Sequence, residues 1–511
     1  MQQVVKQSDR TVWWLAIVAT LTSIASFIYF DRAGDILAYK DSISHMEIAR
    51  RVIDSPTTGF GQLGGVWLPL PHILMVPFVW NNALYYSGLA GSLSSMFSYV
   101  VASVFLYKII RDLTGKTLPA LAGTLVFMSN PNILYMQSTP MTELLLFACM
   151  VVAVYYVQRW IKTSRYQYLV GAGTAIFFGT LARYEAWILL ATLTIVVIVV
   201  AWRRHYSWQQ AEGTTLMFLF FGALGVTAWL AWNQIIFGNA LNFQDGPYAK
   251  PSLWVGRSDI AVGHWLIALK TYWFAMVDNL KLVVVVLMIV GLIVMVVKER
   301  LRLETLPAIS LLVMFPFFVV ALEKGQRPLH VAQITGDLYN VRFGLLMILP
   351  AAILIGYLVG LLANADFTRY AALSAVVGIA AFGVVTLAKP MSIITLRDPS
   401  ISLQQSYVKD SVLTSRFLHA HYNGGLVLME SFGNELVLFD AHISLGVNVY
   451  EGSYKLWQPA LANPVKSQIR WIVMRRTKVD LVYEHLFGSA KLRPYSLRYS
   501  NDEYLVYERK R

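Results

Sequence analysis

Apolar residues gather along this chain in long runs separated by short polar connections. A helix that crosses a bilayer needs about 20 mostly apolar residues. Eleven runs fit that pattern: 12–30, 88–110, 118–134, 142–161, 168–182, 186–202, 215–237, 279–297, 306–323, 345–363 and 371–388, the fifth being short. They predict a polytopic α-helical membrane protein of about eleven transmembrane helices. The segment Val66–Trp80, "VWLPLPHILMVPFVW", is apolar but interrupted by Pro69, Pro71 and Pro77. It is too short and too broken to cross, so it reads as re-entrant or interfacial.

The pattern changes after Lys389. "GGLVLME", "RWIVMRR" and "YSLRYSNDEYLVYER" have the composition of strands, the last with a turn at Asn501-Asp502, while 403–421 and 455–470 have helical spacing. Residues 389–511 are therefore expected to form a soluble α/β domain beside a membrane domain of residues 1–388.

Composition supports the membrane reading. Of 511 residues, 57% are hydrophobic and 14% charged, against about 25% charged in soluble domains. The single cysteine, Cys149, lies in an apolar run, so no disulfide framework exists. The net charge of +13 has a topological explanation. Lys6, Arg10, Arg111, Lys116, Lys162, Arg165, Arg203, Arg204, Lys298, Arg300, Arg302 and Arg369 fall in alternate connections, which the positive-inside rule assigns to the cytoplasm. The N-terminus is then cytoplasmic and the C-terminal domain extracytoplasmic, in the plasma or inner membrane. The first run has no small-residue cleavage site and reads as an uncleaved span. No nucleic-acid partner is expected.

Polar chemistry gathers on the outer side. The first outer connection contains "AYKDSISHMEIARR", in which Asp41 and His45, and likewise Glu47 and Arg51, share helix faces. Glu47, Arg50 and Arg51 read as solvated charges of an interfacial helix, whereas Asp41 stands ahead of them as candidate chemistry. His72 follows in "WLPLPH" with Trp67, Glu143 in "STPMTELLLF", Arg183 and Glu185 in "LARYEAW", and Tyr339 and Arg342 in "DLYNVRFG". Ionisable groups at the lips of spans usually face a protein-lined cavity. A buried Glu–Arg pair that only locks spans together is the plain alternative. Arginines suit bidentate phosphate recognition, and a carboxylate without a fixed charged partner suits general-base work. The loop 238–264 has the length and Gly/Pro content of a lid or of an ordinary connector.

In order along the chain, "YKDSISHMEIARR", "WLPLPH", "TPMTE" and "YNVRFG" resemble the motifs of the GT-C glycosyltransferases, in the branch of protein O-mannosyltransferases and lipid A aminoarabinose transferases. The resemblance covers residues 10–390. It implies a GT-C-like fold and inverting transfer of a sugar from a polyprenyl-phosphate-linked donor, dolichyl phosphate among the carriers, to a hydroxyl of a protein, lipid or glycan acceptor on the extracytoplasmic face. Asp41 then matches the acid that activates the acceptor, Glu143 the second acid, and Arg342 the donor-phosphate group, with Arg183 as a further phosphate contact. His45, His72, Trp67, Glu185 and Tyr339 fall to the substrate cavity. The cofactor is open: Asp41, Glu143 and His72 are the candidates for a divalent metal ion, and Asp41 is followed by Ser42 where the family often has a second acid. A secondary transporter or lipid flippase is the competing class, but the chain has no repeated halves of the kind transporters use.

Overall fold

The computed structural model describes residues 10–253, 255–256, 259–362 and 366–510. Lys6 lies outside them, as does the side chain of Arg369. Among the described residues, eight helical segments are long and apolar enough to cross a membrane: Arg10–Ala33, Leu89–Thr114, Glu143–Thr163, Glu185–Arg203, Trp208–Phe237, Leu282–Glu299, Leu303–Glu323 and Val341–Leu362. In hydrocarbon each backbone N–H and C=O must be satisfied within the segment, which is why these runs are helical.

The other three apolar runs are also helical. The run 118–134 divides into helices Thr117–Met128 and Pro131–Met136, because the Asn130 carboxamide accepts from the amides of Asn132 and Ile133 and starts a new helix at Pro131. The run 168–182 is helix Tyr166–Ala182, of 17 residues, and 371–388 is the end of helix Asp366–Leu387. Helix Trp265–Leu280 carries no span signal, since Lys270 and Asp278 interrupt its apolar pattern. Helices Thr117–Met128 and Ile348–Leu362 pack so closely that a Cβ on Gly123 would lie 2.4 Å from the Ala352 carbonyl. Only glycine fits there.

The residues form two compact units. The first comprises Met1–Asp35, Val66–Leu70 and Ser92–Asp398 and contains the spans. The second comprises Ile36–Gly65, Pro71–Gly91 and Pro399–Arg511, so segments of the first connection fold with the C-terminal residues.

In the second unit, strands β1 (Leu426–Leu428), β2 (Asn448–Val449), β3 (Ile469–Arg475), β4 (Tyr495–Ser500) and β5 (Tyr504–Arg509) form a sheet in the order β2-β1-β3-β5-β4. β1 is parallel to β2 and β3, and β3, β5 and β4 are antiparallel. The β4–β5 hairpin turns at Asn501 as its sequence predicts, with the Asn501 side chain accepting from the amides of Glu503 at 3.2 Å and Tyr504 at 2.7 Å. Val427, Trp471, Val473 and Val506 point into one core, and Leu428, Ile472, Met474 and Leu505 into the other. The period-two alternation therefore covers both faces of the sheet.

Candidate active site

In the first unit, a charged cluster is built from three connections distant in sequence. Glu143 heads helix Glu143–Thr163 and is fully buried, at the end where the helix dipole favours a carboxylate. Its Oε1 accepts from Arg183 Nη1 at 3.1 Å and from Arg342 Nε at 3.0 Å. Its Oε2 is buried with no hydrogen-bond partner.

Arg183 occupies the extended turn (φ −153°, ψ 149°) between helices Tyr166–Ala182 and Glu185–Arg203. It grips Glu185 with two parallel bonds, Nε to Oε2 at 3.3 Å and Nη2 to Oε1 at 2.8 Å. Its Nη1 also donates to Thr142 Oγ1 at 2.9 Å. Arg342 stands in the first turn of the 3₁₀ helix Val341–Met347. That turn is fixed from two sides. The Val341 amide donates to Asp398 Oδ2 at 3.0 Å, and Gly344 approaches helix Trp265–Leu280 so closely that a Cβ would lie 2.3 Å from the Ala275 carbonyl. The Phe343 ring lies against both guanidinium groups, 5.8 Å from Arg183 and 5.4 Å from Arg342, within cation–π range.

Two more side chains join the cluster. Tyr184 Oη donates to the Val66 carbonyl at 2.6 Å and accepts from Trp229 Nε1 at 3.2 Å, which ties the segment bearing half-buried Trp67 to the Arg183–Glu185 turn. Arg327 acts electrostatically on Arg183, Tyr184, Glu185 and Arg342. It escapes sequence inspection because "EKGQRPLH" looks like any solvated loop. Three guanidinium groups thus face two carboxylates, an excess of one positive charge among these residues. Tyr339 is 37% exposed, with its backbone paired to His330.

The remaining predicted residues are in the second unit. Asp41 is in the first turn of helix Lys40–Arg51, half-buried. One turn later His45 is buried, its Nδ1 2.9 Å from Nε2 of buried His72. Burial, and then the neighbouring His45, hold His72 well below the usual imidazole pKa, which favours its neutral form. The expectation that Glu47 and Arg51 are solvated is overturned. They are 1% and 8% exposed and form an ion pair at 2.7 Å, because residues from the far end of the chain cover them.

Among the described residues, no three His, Cys, Asp or Glu side chains converge as metal ligands. Of the candidates, Glu143 gives its Oε1 to two guanidinium groups and His72 is engaged with His45.

Residues 84–232 match the family model described as dolichyl-phosphate-mannose-protein mannosyltransferase. No curated protein matches the chain at a significant level. Among solved structures, ArnT from Cupriavidus metallidurans bound to undecaprenyl phosphate is similar with a TM-score of 0.56 and 12% identity, covering 98% of both chains. The same protein in the apo state gives 0.51 and 14% identity, again over 98% of both chains. At such identity the likeness is one of fold. With that fold running through nearly the whole length and the family model matching residues 84–232, the chain is a polytopic membrane protein of GT-C fold that resembles the protein O-mannosyltransferase and aminoarabinose transferase branch.

Proposed function

We propose that this chain is an inverting membrane glycosyltransferase that moves a sugar from a polyprenyl-phosphate-linked donor to a hydroxyl of a protein, lipid or glycan acceptor on the extracytoplasmic face. The observation that carries the reading is the buried Glu143 carboxylate bridging Arg183 and Arg342 in a chain of GT-C fold. The Arg183–Glu185 pair fixes one guanidinium, and Glu143 fixes the second relative to the first. Arg342 and Arg183 then hold the donor phosphate, with Arg327 supplying the uncompensated charge. Preorganised donors of this kind stabilise negative charge that develops on a leaving group. Glu143 Oε2, buried and unpartnered, accepts from a donor hydroxyl.

In the reaction, Asp41 takes the proton of the acceptor hydroxyl as its oxygen attacks the anomeric carbon. The bond from that carbon to the phosphate oxygen breaks, its electron pair leaves with the polyprenyl phosphate, and the anomeric configuration inverts. One base suffices, because the displacement is single. The resemblance assigns His45, His72, Trp67, Glu185 and Tyr339 to substrate binding.

Arg342→Ala is expected to weaken donor binding about 10- to 100-fold, the equivalent of losing a charge-assisted hydrogen bond of about 1.5–3 kcal/mol. Photolabelling with a polyprenyl-phosphate probe measures it. Wild-type labelling in a folded Arg342→Ala protein would remove Arg342 from the donor site.

A further inference from the structure

We propose that residues 399–511 form a clamp that holds helix Lys40–Arg51 in place, with Glu47 and Arg51 as the positioning residues that set Asp41. The inference rests on the reading of Asp41 as the base, and it gives the C-terminal domain a task in the reaction.

The helix has only 12 residues and no side-chain cap at Tyr39. Isolated helices shorter than about 12–15 residues are marginal in water, so its conformation depends on what it packs against. Its apolar face, Ile43, Met46 and Ala49, is buried with Met75, Val79 and Tyr85, and with Val408, Leu436 and Phe439 from the C-terminal residues.

Polar contacts grip both ends. The Lys40 ammonium lies 4.7 Å from the Tyr407 ring, and the Arg51 guanidinium 4.3 Å from the Tyr450 ring. Arg51 Nη2 donates to Glu47 Oε2 at 2.7 Å and also to the Ser431 hydroxyl. Glu451 accepts from the amides of Ser431 and Phe432 at 2.8 and 2.9 Å, which fixes the loop that Arg51 reaches. Just past the helix, Asp54 Oδ1 accepts from Ser444 Oγ at 2.7 Å and from the Gly446 amide at 2.8 Å. Further on, Tyr450 bonds to Gln62, and Tyr454 Oη donates to the Gly61 carbonyl at 2.7 Å.

The charge arrangement explains why Arg51 is the pivot. Glu47 faces Arg51 on its own helix and Tyr85, Glu435, Tyr450 and Glu451 on other elements. Burial pushes its carboxyl upward, Arg51 opposes that, and Glu435 and Glu451 add to it. Without Arg51, a buried acid loses its compensating charge and the link to Ser431 breaks. Asp41 rides on the same helix, and a misplacement of about 1 Å can cost about 10²-fold in rate.

The test uses the full chain in lipid nanodiscs, with transfer measured from lipid-linked sugars extracted from a deletion strain. For Arg51→Ala, amide hydrogen exchange is expected to rise in residues 40–51 and 431–451 but not in the spans. Transfer is expected to fall about 100-fold with polyprenyl-phosphate photolabelling unchanged, and Arg51→Lys to recover part of it. Unchanged exchange in residues 40–51 would overturn the clamp. Raised exchange with wild-type transfer would instead overturn Asp41 as the base, and with it the catalytic value of the clamp. Should Arg51→Ala not fold, the Asp54→Cys/Ser444→Cys pair serves, since the native Cys149 is buried. Oxidised, it is expected to keep wild-type transfer. Transfer lost on oxidation and regained on reduction would mean that the domain must move away during turnover, which contradicts a clamp.

Discussion

Asp41→Asn is expected to abolish sugar transfer while leaving expression and donor photolabelling near wild type. The substitution nearly keeps the volume of the side chain while removing its charge and its capacity to take a proton. General-base catalysis contributes about 10²–10⁴-fold, and a single displacement offers no second step through which the loss could be bypassed. The group is also well suited to separation from folding effects. It lies in the first turn of its helix and is half-buried, unlike Glu47, whose burial makes it part of the scaffold. Retained turnover in Asp41→Asn would place the base elsewhere.

The second large effect belongs to Glu143. Removing one member of a buried ion pair costs about 3–5 kcal/mol, because the partner is left charged and uncompensated. Glu143 serves two partners through one oxygen, so Glu143→Ala should lower the melting temperature of the purified protein markedly and eliminate transfer. Glu143→Gln separates the two roles. It keeps an acceptor oxygen and the side-chain shape but loses the compensating charge, so the melting temperature should fall less than in Glu143→Ala while transfer falls at least about tenfold, the effect of roughly 1.4 kcal/mol at the transition state. A Glu143→Gln protein with wild-type transfer would mean that the cluster merely locks the spans together. Wild-type melting of Glu143→Ala would contradict the buried pair itself.

Much of this was legible along the chain. Acids and arginines at the lips of apolar runs are costly unless they meet one another, and Glu143, Arg183, Glu185 and Arg342 do meet. Alternation of side chains placed β3, β4 and β5, and the Asn501 turn. Other features depend on partners far away in sequence. Glu47 and Arg51 have the spacing of a solvated helix pair, and only Ser431 and Tyr450, nearly 400 positions later, make them buried. Arg327 has no local mark because its significance is electrostatic and comes from the Arg183–Glu185 turn and Arg342. Helix Trp265–Leu280 was hidden for a different reason. Its Lys270 and Asp278 break the apolar count, although the helix carries the close contact that seats Gly344 beside Arg342.

The central claim, transfer from a polyprenyl-phosphate-linked sugar, is tested most directly by mass spectrometry of lipid-linked sugars and surface glycans from a strain lacking this protein. One lipid-linked sugar is expected to accumulate and a glycan residue of the same mass to disappear, with both restored by the wild-type chain and neither by Asp41→Asn. Unaltered lipid-linked sugars and glycans in that strain, alongside proton-coupled uptake by the purified protein in proteoliposomes, would contradict the account and favour a transporter.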